Sequence, residues 1–326
     1  MTQRRLLLAR SIALGLLALD LKAIHAQPNW PQKPVHVIVP ASPGSGPENI
    51  ARLLSEALSR RLSVPVFVEG IPGAAGIIGT DKAMKAAPDG YTVLYGLSQF
   101  VTMNPHLYAK LPYDPAKGMA PISLIGRGGY VLIANNDLAA SDLPSLIALA
   151  RRDPGKLAYA STGNGSAAHL GMELLKTKTS MDLLHVPYKT GSTANTDLIA
   201  GQVQIKIEPS SSALPLVKAG RVKALAVTTA RRLEQLPKVA TIQETIRDFE
   251  LSGWNALWAP AGTPPFVIAR LNSEVQAILA EETFRRRLLE LGMLPEGSSP
   301  AQLAALTAAE SAQWKTLIDR AGIKAD

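Results

Sequence analysis

Two glycine-rich loops are the parts of this sequence whose residue types most clearly suggest chemistry. The first loop spans Pro40 to Pro47 and follows the apolar run Val35 to Val39. The second spans Gly70 to Gly79 and follows Val64 to Val68. Both apolar runs are rich in β-branched residues and bounded by turn formers, which is typical of buried strands. A helical pattern follows each loop, so each loop should join a strand to a helix.

A loop in that position can bind an anion. Backbone N–H groups are unpaired at a helix N-terminus, and the helix dipole favours negative charge there. Glycine lets the backbone approach a ligand closely because it has no Cβ. If both loops face one crevice, they form a site for a carboxylate or another small anion.

A third glycine-rich segment, Gly163 to Ala168, has the spacing G-x-G-x-x-A between a predicted strand and a predicted helix. A dinucleotide-binding fold needs an acidic residue at the end of the following strand. That strand, Leu183 to Val186, has its nearest acid, Asp182, at the wrong end. The segment therefore favours an anion cradle over a nucleotide site, with hydroxyl donors from Ser161, Thr162 and Ser166.

Several single residues have two possible roles each. His169 lies near the start of the next helix, where it either packs and caps or contacts the ligand. Glu208 ends the alternating segment Val203 to Glu208, a predicted strand with one polar side that also carries Lys206. The two side chains either form an exposed ion pair worth little, or Glu208 faces an amine or hydroxyl of the ligand in a cleft. Turn formation and ligand contact are both open for three serines at strand ends, namely Ser42, Ser45 and Ser98.

Enzyme motifs are largely missing from the chain. It has no cysteine, no G-x-S-x-G nucleophile elbow and no P-loop pattern. None of the five histidines forms a pair with the helical spacing of a zinc site. The sequence thus offers neither a nucleophile paired with a base nor a metal centre, and we predict no catalytic residue, no cofactor and no metal.

The net charge of +8 does not indicate nucleic-acid binding. The first 26 residues hold four basic residues and one acidic residue, which leaves +5 on the rest of the chain. The basic pairs are scattered and aromatic residues make up only 5% of the chain, whereas nucleic-acid binding needs a focused basic face or a stacking platform. We interpret the basic residues as solvated helix faces.

The N-terminal segment has the three-part form of a secretory signal peptide. Arginines among the first ten residues precede the apolar stretch Ser11 to Leu19, and Ala23 to Ala26 resembles a small-residue cleavage site. The stretch is too short to span a bilayer. We predict a signal peptide over residues 1–26, cleaved after Ala26, and export by the general route or, given Arg4-Arg5, the twin-arginine route. Without cysteine the exported protein has no disulfide and no lipid attached through an N-terminal Cys.

Strand and helix patterns alternate along the rest of the chain, which predicts mainly parallel sheets with helices on both faces. We expect two lobes, with residues 27–128 and 236–326 in lobe 1 and residues 129–235 inserted as lobe 2. Crossings near Gly126 to Tyr130 and Ala230 to Leu236 would form a hinge, with the ligand cleft between the lobes. The tail, Pro300 to Ala321, is predicted as an amphipathic helix whose apolar face contains Leu303, Leu306, Trp314 and Leu317.

A set of short motifs recurs in one order and spacing from about Pro31 to Ile323. They are Ile38-Val39-Pro40, Pro43-Gly44, Ile50-Ala51-Arg52, Pro72-Gly73-Ala74, Ala87-Pro88-Asp89-Gly90-Tyr91-Thr92, Leu111-Pro112-Tyr113-Asp114, His185-Val186-Pro187-Tyr188-Lys189, Leu225-Ala226-Val227-Thr228 and Ala259-Pro260-Ala261-Gly262-Thr263-Pro264. In these motifs the chain resembles the solute-binding proteins of tripartite tricarboxylate transporters, the TctC or Bug-type family.

The resemblance implies a periplasmic α/β protein with the two-lobed periplasmic-binding-protein fold (type II), which closes on a small carboxylate and delivers it to integral membrane permease subunits. In this family, backbone amides and ordered waters in two loops hold the carboxylate. By position, the first lobe would contribute Ala41, Ser42, Gly44, Ser45 and Gly46, together with Gly73, Ala74, Ala75, Gly76 and Ile77. The second lobe would contribute Ser161, Thr162 and Glu208. We expect a monomer.

Some positions depart from the family pattern. Ser45 and Ala75 stand where glycine is usual, Ile77 where Asn is common, and Glu208 where Asp is usual. The first-lobe half of the pocket is therefore less polar, which favours a bulkier or more apolar acid, including an aromatic one, over citrate. Two other functions stay open, a secreted enzyme that acts on a small carboxylic acid and a sensor subunit for a membrane kinase.

Overall fold

The computed structural model describes residues 30–247, 249, 251–321 and 325. The predicted signal peptide and its cleavage site lie outside these residues. The chain divides into two units, Met1–Gln32 and Lys33–Asp326. Residues 30–32 are the described part of the first unit and belong to no helix or strand. The second unit contains the elements given below.

The described strands of the second unit are connected in one ten-stranded sheet. The strands are β1 (Val35–Val39), β2 (Val66–Gly70), β3 (Thr92–Leu97), β4 (Met119–Ala134), β5 (Leu157–Ser161), β6 (Leu183–Pro187), β7 (Ile205–Pro209), β8 (Lys223–Val227), β9 (Ser252–Pro260) and β10 (Met293–Pro295). Their order is β2-β1-β3-β9-β4-β7-β5-β6, and β8 and β10 each pair with β4.

The sheet is parallel at both ends and antiparallel at its centre. β1 pairs in parallel with β2 and β3, and β5 pairs in parallel with β6 and β7. At the centre, β9 is antiparallel to β3 and β4, and β4 is antiparallel to β7, β8 and β10. The predicted parallel pairing thus holds for the outer strands. The centre differs because β4 carries the chain into the second lobe and β9 brings it back in the opposite direction.

The long strand β4 is shared by the two lobes. Its residues as far as Gly129 pair with β9, and its residues from Tyr130 onward pair with β7 and β8. The strand continues without interruption through Gly126, Gly128 and Gly129. They allow close packing instead of a turn. A Cβ at Gly126 would lie 2.7 Å from the carbonyl oxygen of Leu294, and one at Gly129 would lie 2.2 Å from Thr229 Cγ2.

Helices pack against this sheet. They are α1 (Gly46–Leu62), α2 (Ile77–Met84), α3 (Ser98–Thr102), α4 (Asn104–Leu107), α5 (Pro115–Gly118), α6 (Leu143–Arg152), α7 (Ala167–Thr179), α8 (Gly191–Ile199), α9 (Ser210–Lys218), α10 (Pro265–Ala280), α11 (Glu282–Glu290) and α12 (Pro300–Ala321). The extended residue Glu281 separates α10 from α11. Within the described residues, no helix combines the length and the apolar character that a membrane crossing requires.

The C-terminal helix α12 packs against two hydrophobic clusters. Leu303 is fully buried in a cluster with Trp254 of the first lobe, and Ile318 lies in a cluster with Ile207 of the second lobe. The amphipathic helix was predicted over the same residues, but Leu317 is 51% exposed. Ile318 takes the inward position next to it.

Candidate ligand-binding site

A cavity of about 100 Å³ lies between the two lobes, several times the ~10–15 Å³ that a single water needs. Its first-lobe wall consists of Pro40, Ala41, Ser42, Ser45, Pro47, Pro72, Gly73, Ala75, Gly76, Leu97, Gln99 and Phe100. Its second-lobe wall consists of Tyr130, Thr162, Ala167, Ala168, Lys189, Thr190, Gly191, Lys206, Ile207, Glu208, Pro209 and Ser212. Both predicted glycine loops therefore face one cavity.

Five helices begin at the wall of this cavity. The wall includes the N-cap residues Ser45 of α1, Gly76 of α2, Thr190 of α8 and Pro209 of α9, and Ala167, the first residue of α7. Each helix N-terminus carries a partial positive charge of roughly half an elementary charge. The wall is thus electropositive even where it lacks basic side chains, and it suits a small anion.

The first glycine loop is held by the acidic residue in the first turn of α1. The backbone N–H of Gly44 donates to Glu48 Oε2 at 3.2 Å, and Glu48 Oε1 lies 2.5 Å from Arg52 Nε. This arrangement leaves the Ser45 side chain at the cavity. Ser45 Oγ is buried and has no hydrogen-bond partner among the described residues, so its hydroxyl is available to a ligand.

The second glycine loop is held in an uncommon backbone conformation. Ala74, Ala75 and Gly76 have φ values of 46°, 50° and 87°, and non-glycine residues in this region carry strain of roughly 1–3 kcal/mol each. Two buried amides fix the loop, since Gln99 Nε2 and Asn104 Nδ2 both donate to the carbonyl oxygen of Ala75, at 3.2 Å and 3.3 Å. Such strain is typical of ligand-binding loops that the surrounding structure over-determines.

A buried ion pair forms part of the second-lobe wall. Lys206 is 0% exposed and Glu208 is 4% exposed, and the Lys206 ammonium contacts Glu208 Oε2 directly. The ammonium also donates to Asn195 Oδ1 at 2.7 Å and to the carbonyl oxygen of Gly191 at 3.3 Å. Asn195 Nδ2 donates to Glu208 Oε1 at 3.4 Å. The predicted strand with a polar side is therefore correct in its pattern, but its polar side faces the cavity instead of solvent.

Two sets of hydrogen bonds tie the lobes together beside the cavity. Gln99 Oε1 accepts from the backbone N–H of Ala167 at 2.9 Å, while the same side chain donates to Ala75. On the other loop, the backbone N–H of Gly46 donates to Ser212 Oγ at 2.9 Å. Each glycine loop of the first lobe is thus linked to the N-terminal end of a second-lobe helix.

The structure brings half of the predicted contact residues to the wall. Those on the wall are Ala41, Ser42, Ser45, Gly73, Ala75, Gly76, Thr162 and Glu208. Those away from it in the described part of the chain are Gly44, Gly46, Ala74, Ile77, Ser98, Ser161, Ser166 and His169. Ser98 instead lines a neighbouring cavity of about 30 Å³.

The second-lobe residues away from the wall support the loop behind it. Ser166 Oγ caps α7 by accepting from the N–H of His169, and His169 Nδ1 accepts from the N–H of Gly165 at 3.1 Å. The His169 ring stacks on the His185 ring with centroids 4.3 Å apart. Burial lowers the pKa of His169 below its usual value, and burial together with His169 lowers the pKa of His185 to about 4. The geometry gives His169 the packing and capping role.

Ser161 forms a hydroxyl–imidazole pair that the sequence did not reveal. Ser161 Oγ lies 2.7 Å from His185 Nε2 and also accepts from the N–H of Gly163 at 3.1 Å. The sequence was expected to contain no nucleophile paired with a base, but the structure places this hydroxyl and this imidazole within hydrogen-bonding distance. The pair could not be read from the sequence because Ser161 and His185 come from different, neighbouring parallel strands. Ser161 is fully buried and is not one of the residues that line the cavity. Among the described residues, no group of three or more acidic or histidine side chains could hold a metal ion.

Sequence reasoning missed several wall residues. Gln99 follows β3, and Lys189 to Gly191 follow β6. Both segments stand at carboxyl ends of parallel strands, where ligands bind in open α/β sheets, and this rule alone could have identified them. Asn195 gave no such signal, because it lies inside α8 and acts through the ion pair.

Comparison with known proteins agrees with this architecture. The model of the family described as "Tripartite tricarboxylate transporter family receptor" (TctC) matches residues 50–323. A UPF0065 protein from the tcbD-tcbE intergenic region of Pseudomonas sp. (strain P51) is 36% identical over 291 residues, which cover 89% of this chain and 86% of that protein.

Two solved structures are similar over almost their whole length. The periplasmic binding protein BugD has a TM-score of 0.87 and 33% identity, and the match covers 90% of this chain and 99% of BugD. R. palustris Rpa4515, solved with adipate, has the same TM-score of 0.87, 33% identity and coverage of 90% and 99%. These likenesses establish the two-lobed periplasmic-binding-protein fold. The chain belongs to the TctC family of tripartite tricarboxylate transporter receptors, which are periplasmic solute-binding proteins.

Proposed function

We propose that this protein captures a small organic acid in the cavity between its lobes and delivers it to the membrane permease of a tripartite transporter. The observation that carries the proposal is the convergence of five helix N-termini on one cavity. Their partial positive charges favour a small anion such as a carboxylate.

We assign the two ends of the ligand to different lobes. The carboxylate lies against the first-lobe loops, where Ser45 has a buried hydroxyl without a partner among the described residues. The far end lies against Thr162 and Glu208. The residues proposed to hold the carboxylate are Ala41, Ser42, Ser45, Gly73, Ala75 and Gly76.

The similar structures support a small organic acid as the class of ligand. BugD is described as a periplasmic binding protein, and Rpa4515 was solved with adipate, a dicarboxylate. Both match this chain over the two-lobed fold that encloses the cavity. The first-lobe wall here has no ionisable side chain, which favours a more apolar acid than a tricarboxylate.

The test is binding of candidate acids to the purified mature protein. A thermal-shift panel should contain di- and tricarboxylates, amino acids, nicotinate and other aromatic acids. At a ligand concentration of one hundred times Kd, the free energy of unfolding should rise by about 2.7 kcal/mol. Mass spectrometry of the small molecules that co-purify with the native protein would identify the acid. If no organic acid stabilises the protein, the proposal fails.

Export, oligomeric state and partner are further parts of the proposal. We propose cleavage after Ala26, so Edman sequencing of the periplasmic protein should begin at Gln27. We also propose a monomer, which sedimentation should detect near the mass of one mature chain. Pull-down from membranes should recover permease subunits, whereas recovery of a kinase would favour the sensor function.

We propose a hinge at β4 and at the start of β9. Predicted boundaries at residues 129 and 235 enclose β5 to β8. Ile242 and Phe249 are fully buried in the cluster that contains Ile207 and Leu225, which favours extending the second lobe to about Leu251. Limited proteolysis should cut near these boundaries less readily in the presence of ligand.

We also infer that the protein is not an enzyme. The Ser161 hydroxyl is fully buried behind the wall, away from the proposed ligand. Incubation of the protein with its bound acid, followed by mass spectrometry, should return the acid unchanged. Turnover that disappears in Ser161→Ala would contradict this inference.

A further inference from the structure

The Lys206 ammonium has no hydrogen-bond donor left for a ligand. An ammonium group has three N–H donors and no acceptor. In this structure three acceptors surround it, namely Glu208 Oε2, Asn195 Oδ1 at 2.7 Å and the carbonyl oxygen of Gly191 at 3.3 Å. Although Lys206 belongs to the cavity wall, its charge is fully engaged within the protein.

Glu208 is in the opposite situation. It is 4% exposed, and burying a charge is costly unless the charge is paired and hydrogen-bonded. Lys206 supplies that pairing, and a carboxylate paired with an ammonium only accepts hydrogen bonds, at about four lone-pair positions. Lys206 and the long 3.4 Å contact from Asn195 occupy part of this capacity. Glu208 lines the cavity, so acceptor capacity is left for a ligand.

The two ends of the cavity therefore differ in hydrogen-bonding character. The first-lobe loops offer backbone N–H groups and the Ser45 hydroxyl, which suit a carboxylate. The second-lobe end offers a fixed anionic acceptor. The one other ionisable side chain among the described wall residues, besides the phenol of Tyr130, is Lys189, which is exposed. A second carboxylate placed against Glu208 would meet a like charge in a desolvated site, which is unfavourable.

We infer that Lys206 is a positioning residue that holds the Glu208 carboxylate beside the cavity, and that the site selects acids whose far end carries a hydrogen-bond donor, an ammonium or a hydroxyl group, while it rejects dicarboxylates. This inference rests on the proposed capture of an organic acid.

Two matched series of acids test the selection. The four-carbon series is butyrate, 4-hydroxybutyrate, 4-aminobutyrate and succinate, and the six-carbon series is hexanoate, 6-hydroxyhexanoate, 6-aminohexanoate and adipate. Each series changes only the far end of the molecule, from methyl to hydroxyl, ammonium and carboxylate. Titration calorimetry on the wild-type protein should give at least tenfold tighter binding for the donor-bearing acids than for the dicarboxylate in the series that fits the cavity.

Three variants separate the roles of the two charges. Glu208→Gln keeps the shape and removes the charge, so the preference for a donor over a carboxylate should shrink by about tenfold or reverse. The double variant Lys206→Met with Glu208→Gln removes both buried charges of this pair and should show the same change in preference. It controls for a folding defect in the single variant, where Lys206 is left without its partner. Glu69→Gln is the matched control, because Glu69 is an exposed carboxylate that pairs with Lys82 at 2.8 Å, and its preference should equal that of the wild type.

The positioning role of Lys206 has its own readout. Lys206→Met removes the ammonium that holds the Glu208 carboxylate, so the preference for donor-bearing acids over the methyl-ended acid of the same series should weaken. Lys206→Arg keeps a cation at this position and should restore that preference. A merely structural Lys206 would lower the affinity for every acid of a series equally, and that result would overturn the positioning role.

Other outcomes overturn the selection itself. The inference fails if the wild-type protein binds the dicarboxylates as tightly as the donor-bearing acids, and also if a dicarboxylate preference disappears in Lys189→Met, which would assign the second charge to Lys189. Either result would leave the proposed capture of an organic acid intact. If no acid of either series or of the wider panel binds, the proposed function fails and this inference fails with it.

Discussion

The two walls of the cavity achieve recognition by different means. The first-lobe wall is built from proline, glycine, alanine and apolar side chains, with Ser42, Ser45 and Gln99 as its polar residues. The second-lobe wall contains the Lys206–Glu208 ion pair, Lys189 and several hydroxyl groups. The first wall presents mainly backbone groups and the second mainly charged and polar side chains.

This difference separates the binding of a carboxylate, which is common to all candidate acids, from the choice between one acid and another. Backbone N–H groups at helix N-termini bind any carboxylate, and a strained loop fixed by buried amides keeps them in place. Side chains at the far wall can change from one relative to another without disturbing that arrangement. The comparison predicts that first-lobe changes affect binding of all acids equally, whereas second-lobe changes alter which acid is preferred.

Gly46→Ala should cause the largest loss of affinity, because it should prevent the two walls of the cavity from meeting. A Cβ at Gly46 would lie 2.3 Å from Ser211 Oγ and 2.5 Å and 2.6 Å from backbone atoms of Ser211 and Ser212 in the second lobe. Overpacking of this kind costs roughly 1–3 kcal/mol, so affinity should fall roughly 10- to 100-fold for every acid. Calorimetry measures the affinity. In the presence of ligand, small-angle scattering should find a larger radius of gyration for Gly46→Ala than for the wild-type protein.

Gly44→Ala is the matched control in the same loop. A Cβ at Gly44 meets no atom within 4 Å, but its φ of +75° is unfavourable for alanine. The control should therefore lower the free energy of unfolding by about 1 kcal/mol and leave the lobes able to close. Equal affinities for the two variants would contradict the role of Gly46 in closure.

The next effect is expected from Gln99→Met, which removes the side chain that joins the second loop to α7. The N–H of Ala167 would lose its partner, while the carbonyl oxygen of Ala75 keeps Asn104. A buried donor without a partner costs roughly 1–3 kcal/mol, so we expect affinity to fall about tenfold, with little change in the melting temperature of the free protein. Asn104→Leu should lower the melting temperature and leave the affinity nearly unchanged, because Asn104 forms its hydrogen bonds within the first lobe. If Gln99→Met lowers the melting temperature without lowering the affinity, the hydrogen bond between Gln99 and Ala167 does not contribute to closing the walls around the ligand.

The same comparison explains how much was visible in the sequence. The apolar strands, their glycine loops and the helices after them follow from local patterns, so the first-lobe wall was predictable from Pro40 to Gly76. The roles of Gln99 and Asn195 depend on contacts between segments 68 and 11 residues apart, which no local pattern encodes. The glycines of β4 do not mark a turn, because glycine serves close packing as well as turns.

Acid should affect the second-lobe loop more than the first-lobe loops. The pKa of His185 is lowered to about 4 in the folded state, so the unfolded chain binds its proton first as the pH falls below about 6.5. Stability is then complete above pH 6.5 and decreases toward pH 4. The free energy that corresponds to the whole pKa difference is an upper bound, because solvent reaches part of the His185 ring. We expect the free energy of unfolding to fall by ~1–2 kcal/mol.

Urea unfolding between pH 4.5 and 7 measures this loss. His185→Gln should flatten the profile, and His36→Gln, a change at an exposed histidine, should leave it as in the wild type. A profile unchanged by His185→Gln would assign the acid response to other groups, such as Glu173 beside the histidine pair.

The smallest expected effect separates ligand contact from folding at Ser45. Ser45 Oγ is a buried hydroxyl without a partner among the described residues, so Ser45→Ala removes a desolvation cost and should leave the melting temperature of the free protein unchanged or slightly raised. If the hydroxyl donates to the carboxylate, affinity for all acids should fall roughly three- to tenfold, which corresponds to about 0.5–1.5 kcal/mol. Ser59→Ala should show the opposite pattern, because Ser59 Oγ accepts from the N–H of Val66 at 2.8 Å far from the cavity wall. Unchanged affinity in Ser45→Ala would mean that the first-lobe wall binds through its backbone alone, and the contrast between the two walls would then be sharper than proposed.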